Sequence, residues 1–180
     1  PGVDPDNLIL VGRSFAGYLA PRAATAEHRI AALVCDPAQP DLAARLPSGW
    51  ASRLVGPVAA LQMRLSRNRA EFFGARMAAH GISQVTDYID EMRRYTMLDR
   101  ASQITCPTLV IECEGDLVGG GGQALVDAVS GPAALIRLTA DSGAGGHCGG
   151  VRQRVWEAAV YDWINRVIAK RATTPHRSVP

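Results

Sequence analysis

Leu8-Ile9-Leu10-Val11-Gly12-Arg13-Ser14-Phe15-Ala16-Gly17 decides how this chain is read. An apolar run stops at a glycine, a serine follows, and small residues open a helical stretch. The pattern predicts a strand, a tight turn with Ser14 at its apex, and a helix. Such a turn lifts the serine Oγ clear of a sheet, and small residues at Gly12 and Ala16-Gly17 let the backbones pack closely. It also sets the first N–H groups of the helix, Phe15 foremost, where an oxyanion could form. The bland alternative is a serine that merely caps a helix.

A nucleophilic serine needs an acid and a histidine, here in the order Ser, Asp, His. Pro107-Thr108-Leu109-Val110-Ile111-Glu112-Cys113 predicts a buried strand that opens into Glu114-Gly115-Asp116. Ala133 to Thr139 predicts the next strand, followed by the glycine-rich loop Gly143-Ala144-Gly145-Gly146-His147-Cys148. Asp116 and His147 are therefore expected at the carboxyl ends of strands, where open α/β sheets build their crevices. His147 would move the Ser14 proton, and Asp116 would hold the imidazole tautomer. Glu114, and Asp36 at the end of the strand Ile30–Cys35, stay open as alternative acids. Glu112 is expected to point away, and Asp141 is read as a strand-end turn residue.

These three segments resemble the carboxyl-terminal half of an α/β-hydrolase. Gly12–Gly17 is similar to the nucleophile turn, Cys106–Asp116 to the acid strand and Gly143–Cys148 to the histidine loop. Ile104-Thr105-Cys106-Pro107-Thr108-Leu109-Val110 and Gly145-Gly146-His147-Cys148 further resemble the prolyl-oligopeptidase-like esterases. That branch includes 2,6-dihydroxypseudooxynicotine hydrolase and fungal hydrolases that cut carbon–carbon bonds next to a ketone. The resemblance covers all but about the last ten residues. It implies a mostly parallel sheet flanked by helices, a catalytic Ser14, Asp116 and His147, an oxyanion contact from Phe15 N–H, and a small acyl substrate. It also implies strands ahead of Pro1-Gly2-Val3-Asp4-Pro5. The chain is therefore expected to be a fragment, without a second oxyanion donor and with one sheet edge unpaired.

Composition narrows the classes. A 47% hydrophobic content supports a globular core, and a net charge of +2 gives no case for a nucleic-acid partner. The pairs and triplets of arginine, such as Arg64, Arg67 and Arg69, read as solvated helix faces. No apolar stretch approaches membrane-spanning length, and no signal peptide opens the chain. Cys35, Cys106, Cys113 and Cys148 lack framework or metal spacing. They read as thiols of a reducing, cytoplasmic setting. No metal or cofactor is expected, and self-association is left open. Gly12 and Gly17 mimic a phosphate loop, but Tyr18 replaces its lysine. Gly143-Ala144-Gly145 mimics a dinucleotide fingerprint, but Cys148 stands at the third glycine position.

Four segments are expected: a core of 1–40 with the nucleophile turn, a helical lid of 41–100, a core of 101–170 with the acid and histidine loops, and a disordered tail of 171–180. Helices are predicted over Phe15–Glu27, Trp50–Leu65, Arg69–Ala79, Ser83–Tyr95, Gln123–Ser130 and Gly149–Ala169. Val151, Val155, Trp156, Ala159, Val160, Trp163, Ile164 and Val167 should form the core stripe of the last. A lid would shape an acyl pocket and exclude water. Two functional classes remain: a serine hydrolase of esters or ketone-flanked C–C bonds, and a hydrolase-fold protein that only binds.

Overall fold

A computed structural model of the chain describes Gly2 and residues 4–173. In chain order its elements are β1 (Leu8–Arg13), α1 (Ala16–Ala24), β2 (Ile30–Asp36), α2 (Ser52–Leu65), α3 (Arg67–Ala79), α4 (Val85–Met92), β3 (Thr108–Cys113), α5 (Gly122–Ala128), β4 (Ala133–Leu138) and α6 (Gln153–Thr173). They fall into two compact units. One holds the residues up to Pro40 and those from Met97 on, and the other is Asp41–Thr96.

The larger unit is built on a four-stranded parallel sheet in the order β1-β2-β3-β4. Parallel neighbours require crossovers, and the helices of the chain supply them. β2 is buried at every position, from Ile30 to Asp36, and reads as a continuous apolar run, as a strand covered on both faces should. β1 stands at one edge, with Val11 exposed. One core cluster joins Val34, Leu109, Ile111 and Leu138 of the sheet to Trp156, Val160 and Ile164 of α6. Burying such side chains contributes about 1.5–3 kcal/mol each.

Element ends differ from the sequence expectation in instructive ways. α1 stops at Ala24 rather than Glu27, and its buried face is Gly17, Tyr18, Ala20, Pro21 and Ala24, while Leu19 is exposed. Pro21 lies inside this helix. It has no N–H for the Gly17 carbonyl, and that carbonyl accepts from Gln39 N–H at 3.1 Å instead. α6 begins at Gln153, because Gly149 and Gly150 adopt positive φ and break the helical path. Val151 is therefore a fully exposed loop residue rather than the first rung of the stripe. α6 runs on through Arg171–Thr173, the first three residues assigned to the tail; the rest of the expected disordered segment lies outside the described residues.

The second unit consists of α2, α3, α4 and their connections. Val85, Tyr88, Ile89 and Met92 form the buried face of α4. Gly56 lets α2 approach α4 closely: a Cβ there would sit 2.1 Å from Thr86 Cγ2. α3 is capped by Ser66, which accepts from Arg69 N–H, but it buries no residue. The Arg76 guanidinium lies over the Phe72 ring. Met97 N–H donates to Pro40 O at 2.9 Å, and Met97, Ala101 and Ile104 are fully buried. The boundary between units therefore falls before Met97 rather than at residue 100. Among the described residues no helix is long and apolar enough to cross a membrane.

Candidate active site

Every candidate residue lies just past the carboxyl end of a strand: Ser14 after β1, Asp36 closing β2, Asp116 after β3 and His147 after β4. Parallel alignment makes those four ends neighbours.

Ser14 occupies the left-handed region at φ 57°, which non-glycine residues rarely adopt. Sterics and hydrogen bonds together hold it there. A Cβ on Gly12 would meet Ala16 O at 2.2 Å, and one on Gly17 would meet Pro37 O at 1.8 Å. Both positions must be glycine for the strand and helix to close on the turn. Ser14 N–H donates to Asp36 O at 2.7 Å, and Ser14 O accepts from Gly17 N–H at 2.8 Å and from Gln39 Nε2 at 3.0 Å. Phe15 follows directly as the residue that opens α1.

His147 joins the other two. Its Nε2 lies 2.8 Å from Ser14 Oγ, and its Nδ1 lies 3.0 and 3.1 Å from the two carboxylate oxygens of Asp116. Asp116 Oδ1 also accepts from Val118 N–H at 3.0 Å. The Asp116 side chain is 1% exposed and the His147 ring 45% exposed. A buried carboxylate on one nitrogen and a hydroxyl on the other is the arrangement that fixes a tautomer with Nδ1 protonated and Nε2 ready to accept.

The other carboxylates have different partners. Glu114 Oε2 accepts from Ala140 N–H at 2.8 Å, and Glu114 O accepts from Gly146 N–H at 2.7 Å, so Glu114 braces the loop that carries His147. Glu112 Oε1 accepts from Gly122 N–H at the start of α5 and pairs with Arg137. Asp141 sits in a single 3-10 turn after β4. Asp36 is fully buried, beside Arg13 at 3.6 Å and with Cys113 Sγ at 3.9 Å. Burial raises its pKa to about 6, with Asp116 adding to the rise; the Arg13 charge, the Trp156 indole and His147 oppose it. Its backbone oxygen holds Ser14, while its carboxylate faces Arg13.

Three participants escaped the sequence reading. Arg13 donates to the Cys148 carbonyl and, at 2.8 Å, to Gln153 Oε1. Gln39 holds the Ser14 carbonyl. Cys148 places Sγ 3.5 Å from His147 Nε2; burial raises its thiol pKa, which keeps it neutral there. Only Arg13 carried a signal, as a charged residue ending an apolar strand. Of the remaining histidines, His28 is exposed in the turn after α1, and His80 meets Tyr95 Oη through Nδ1 at 3.2 Å. His176 lies outside the described residues. Among the described residues no group of three or more His, Cys, Asp or Glu could hold a metal ion, and the four cysteines are free thiols.

No family model and no curated protein sequence matches the chain. Solved structures do. The alpha/beta hydrolase GrgF from Penicillium sp. sh18 matches 94% of this chain at 18% identity and a TM-score of 0.58. Proline iminopeptidase from Mycobacterium smegmatis matches 90% of it at 16% identity and a TM-score of 0.60. The 2,6-dihydroxy-pseudo-oxynicotine hydrolase matches 92% at 21% identity and a TM-score of 0.58. The chain spans 66% of the length of each of the first two and 41% of the third. Its sheet order, its strand-end loops and these neighbours lead to one statement: this chain carries a large part of the α/β-hydrolase fold.

Proposed function

We propose that the chain holds the catalytic centre of a serine hydrolase that works through an acyl-enzyme. The observation that carries this reading is His147 reaching Ser14 Oγ with one ring nitrogen and buried Asp116 with the other. Ser14 Oγ attacks the substrate carbonyl while His147 Nε2 takes its proton. Asp116 holds the ring and stabilises the imidazolium. Phe15 N–H donates to the oxyanion; one such donor is typically worth about 10²–10³ in turnover. His147 then gives its proton to the leaving group, and a water repeats the sequence to release the acid.

The substrate is a small ester or other acyl compound. A ketone-flanked C–C bond is a second reading, motivated by the likeness to the 2,6-dihydroxy-pseudo-oxynicotine hydrolase; the same serine and histidine would serve it. The helical unit Asp41–Thr96 is proposed as the lid that sets acyl selectivity. The four thiols fit a cytoplasmic setting.

The test is covalent labelling with a fluorophosphonate probe. Ser14 of the folded protein should be modified, and Ser14→Ala should abolish the signal. A folded protein that stays unlabelled would favour the binding-only class and end this proposal. A panel of p-nitrophenyl esters and β-diketones then separates ester from C–C cleavage.

A further inference from the structure

The segment that carries His147 has little conformational preference of its own. Gly146, Cys148, Gly149 and Gly150 all lie at positive φ, and Cys148 does so without the freedom of glycine. A stretch of this kind is held by bonds from outside or it is not held. On its amino-terminal side the anchor is Gly146 N–H to Glu114 O. On the carboxyl-terminal side it is the Cys148 carbonyl, which accepts from Arg13 Nη2 and from Gln153 Nε2 at 3.0 Å. Gln153 Nε2 also donates to Gly150 O at 2.7 Å, and its Oε1 accepts from Arg13.

We propose that Arg13, braced by Gln153, is a positioning residue that clamps the Cys148 carbonyl and so fixes the His147 ring on Ser14 and Asp116. The inference deepens the reading of Ser14 and His147 as catalytic partners and rests on it. Its physical basis is the Nη2 amino group of a planar cation. The two hydrogens of Nη2 donate in two directions at once, to a main-chain carbonyl and to a side-chain amide. The cation is kept in place by three neighbours. Buried Asp36 lies opposite Arg13 Nε at 3.6 Å. The Trp156 ring lies beneath its Cζ at 4.4 Å. Its own backbone belongs to β1, one residue from Ser14. The nucleophile strand therefore grips the histidine loop across the tops of the intervening strands. A change in the loop cannot move the imidazole without breaking bonds to the residue that precedes the nucleophile.

The clamp is tested in the full chain with Arg13→Met, Arg13→Lys and Gln153→Met, each checked for folding by near-ultraviolet circular dichroism. Two signals are read: the rate of Ser14 labelling by the fluorophosphonate, and the downfield proton resonance of His147 Nδ1–H, which reports the bond to Asp116. Arg13→Met should slow labelling by about 10–100-fold, the scale of a misplacement near 1 Å, and should broaden or lose the resonance. Arg13→Lys keeps the charge opposite Asp36 but loses the planar group that lies on the Trp156 ring and sets Nη2 between its two acceptors, so its labelling should stay within about threefold of Arg13→Met. Gln153→Met should cost less alone and add little to Arg13→Met, because both side chains hold one carbonyl. If Arg13→Met does not fold, Arg13→Lys and Gln153→Met carry the test. Labelling within twofold of wild type together with an intact resonance, in the folded Arg13 variants, overturns the clamp. A wild type that shows the resonance but takes no label ends the catalytic reading, and the loss or survival of the resonance in Arg13→Met still decides the clamp.

Discussion

The nucleophile turn and the histidine loop are held by the same two devices, close packing and hydrogen bonds, in different proportions. Around Ser14 the geometry is set by absence of room: side chains at Gly12 or Gly17 would collide with backbone oxygens at 2.2 and 1.8 Å. The loop around His147 is crowded at Gly150, where a Cβ would meet Gly145 O at 2.0 Å, but open at Gly146, where one would meet nothing within 4 Å. Polar contacts from Glu114, Arg13 and Gln153 hold it besides. Close packing dominates the turn, and long-range polar contacts share the work in the loop. A site that joins the two needs only a few side chains to register one against the other, and those are the ones whose loss should affect chemistry more than stability.

Substitutions can break or sharpen this contrast. The largest effect is expected from Ser14→Ala, which should remove about 10⁴-fold or more of any hydrolysis while the melting temperature changes little. Asp116→Asn should cost about 10⁴-fold through the wrong imidazole tautomer, whereas Glu114→Gln should cost far less, because its side chain braces Ala140 rather than the ring. Ester hydrolysis rates for the two variants decide which carboxylate is the acid. Gly17→Ala should cost several kcal/mol, since a Cβ at 1.8 Å forces the helix off Pro37; urea melts would show it. Gly146→Ala should cost only about 1 kcal/mol, because its φ of 85° is strained for alanine but no atom is in the way. Equal losses for the two glycines would erase the distinction between the crowded Gly17 position and the open Gly146 position.

The last effect is gradual and concerns pH. Asp36 holds its proton to about pH 6 in the folded chain, against an ordinary value of 3.8. Between those values the native state binds more protons than the unfolded one, so this group's contribution falls as pH rises through the window. It is fully present below 3.8 and lost above about 6. Asp36→Asn should flatten the stability profile there by up to about 1.4 kcal/mol per pH unit, measured by urea melts between pH 4 and 7.

The same contrast explains what could be read beforehand. The turn was legible because steric rules act between residues a few positions apart: Gly12, Ser14 and Gly17 announce themselves in one string. The strands, and the loops after them that carry Asp116 and His147, followed from the alternation of apolar runs and turn residues. The clamp was not legible, because nothing local says that Arg13 reaches the Cys148 carbonyl or that Gln153 stands beside it. Helix ends were missed for a similar reason. Nothing in the string says that Pro21 can sit inside a helix because Gln39, on a different segment, satisfies the carbonyl it leaves behind.

That accommodation reaches the chemistry. Gln39 uses its main chain on Gly17 O and its side chain on Ser14 O, so one residue secures two successive steps of the turn. An amide unit is rigid and flat, with its oxygen and hydrogen on opposite sides. Pinning the serine oxygen therefore fixes the plane of that amide, and with it the direction of the Phe15 N–H that we propose as an oxyanion donor.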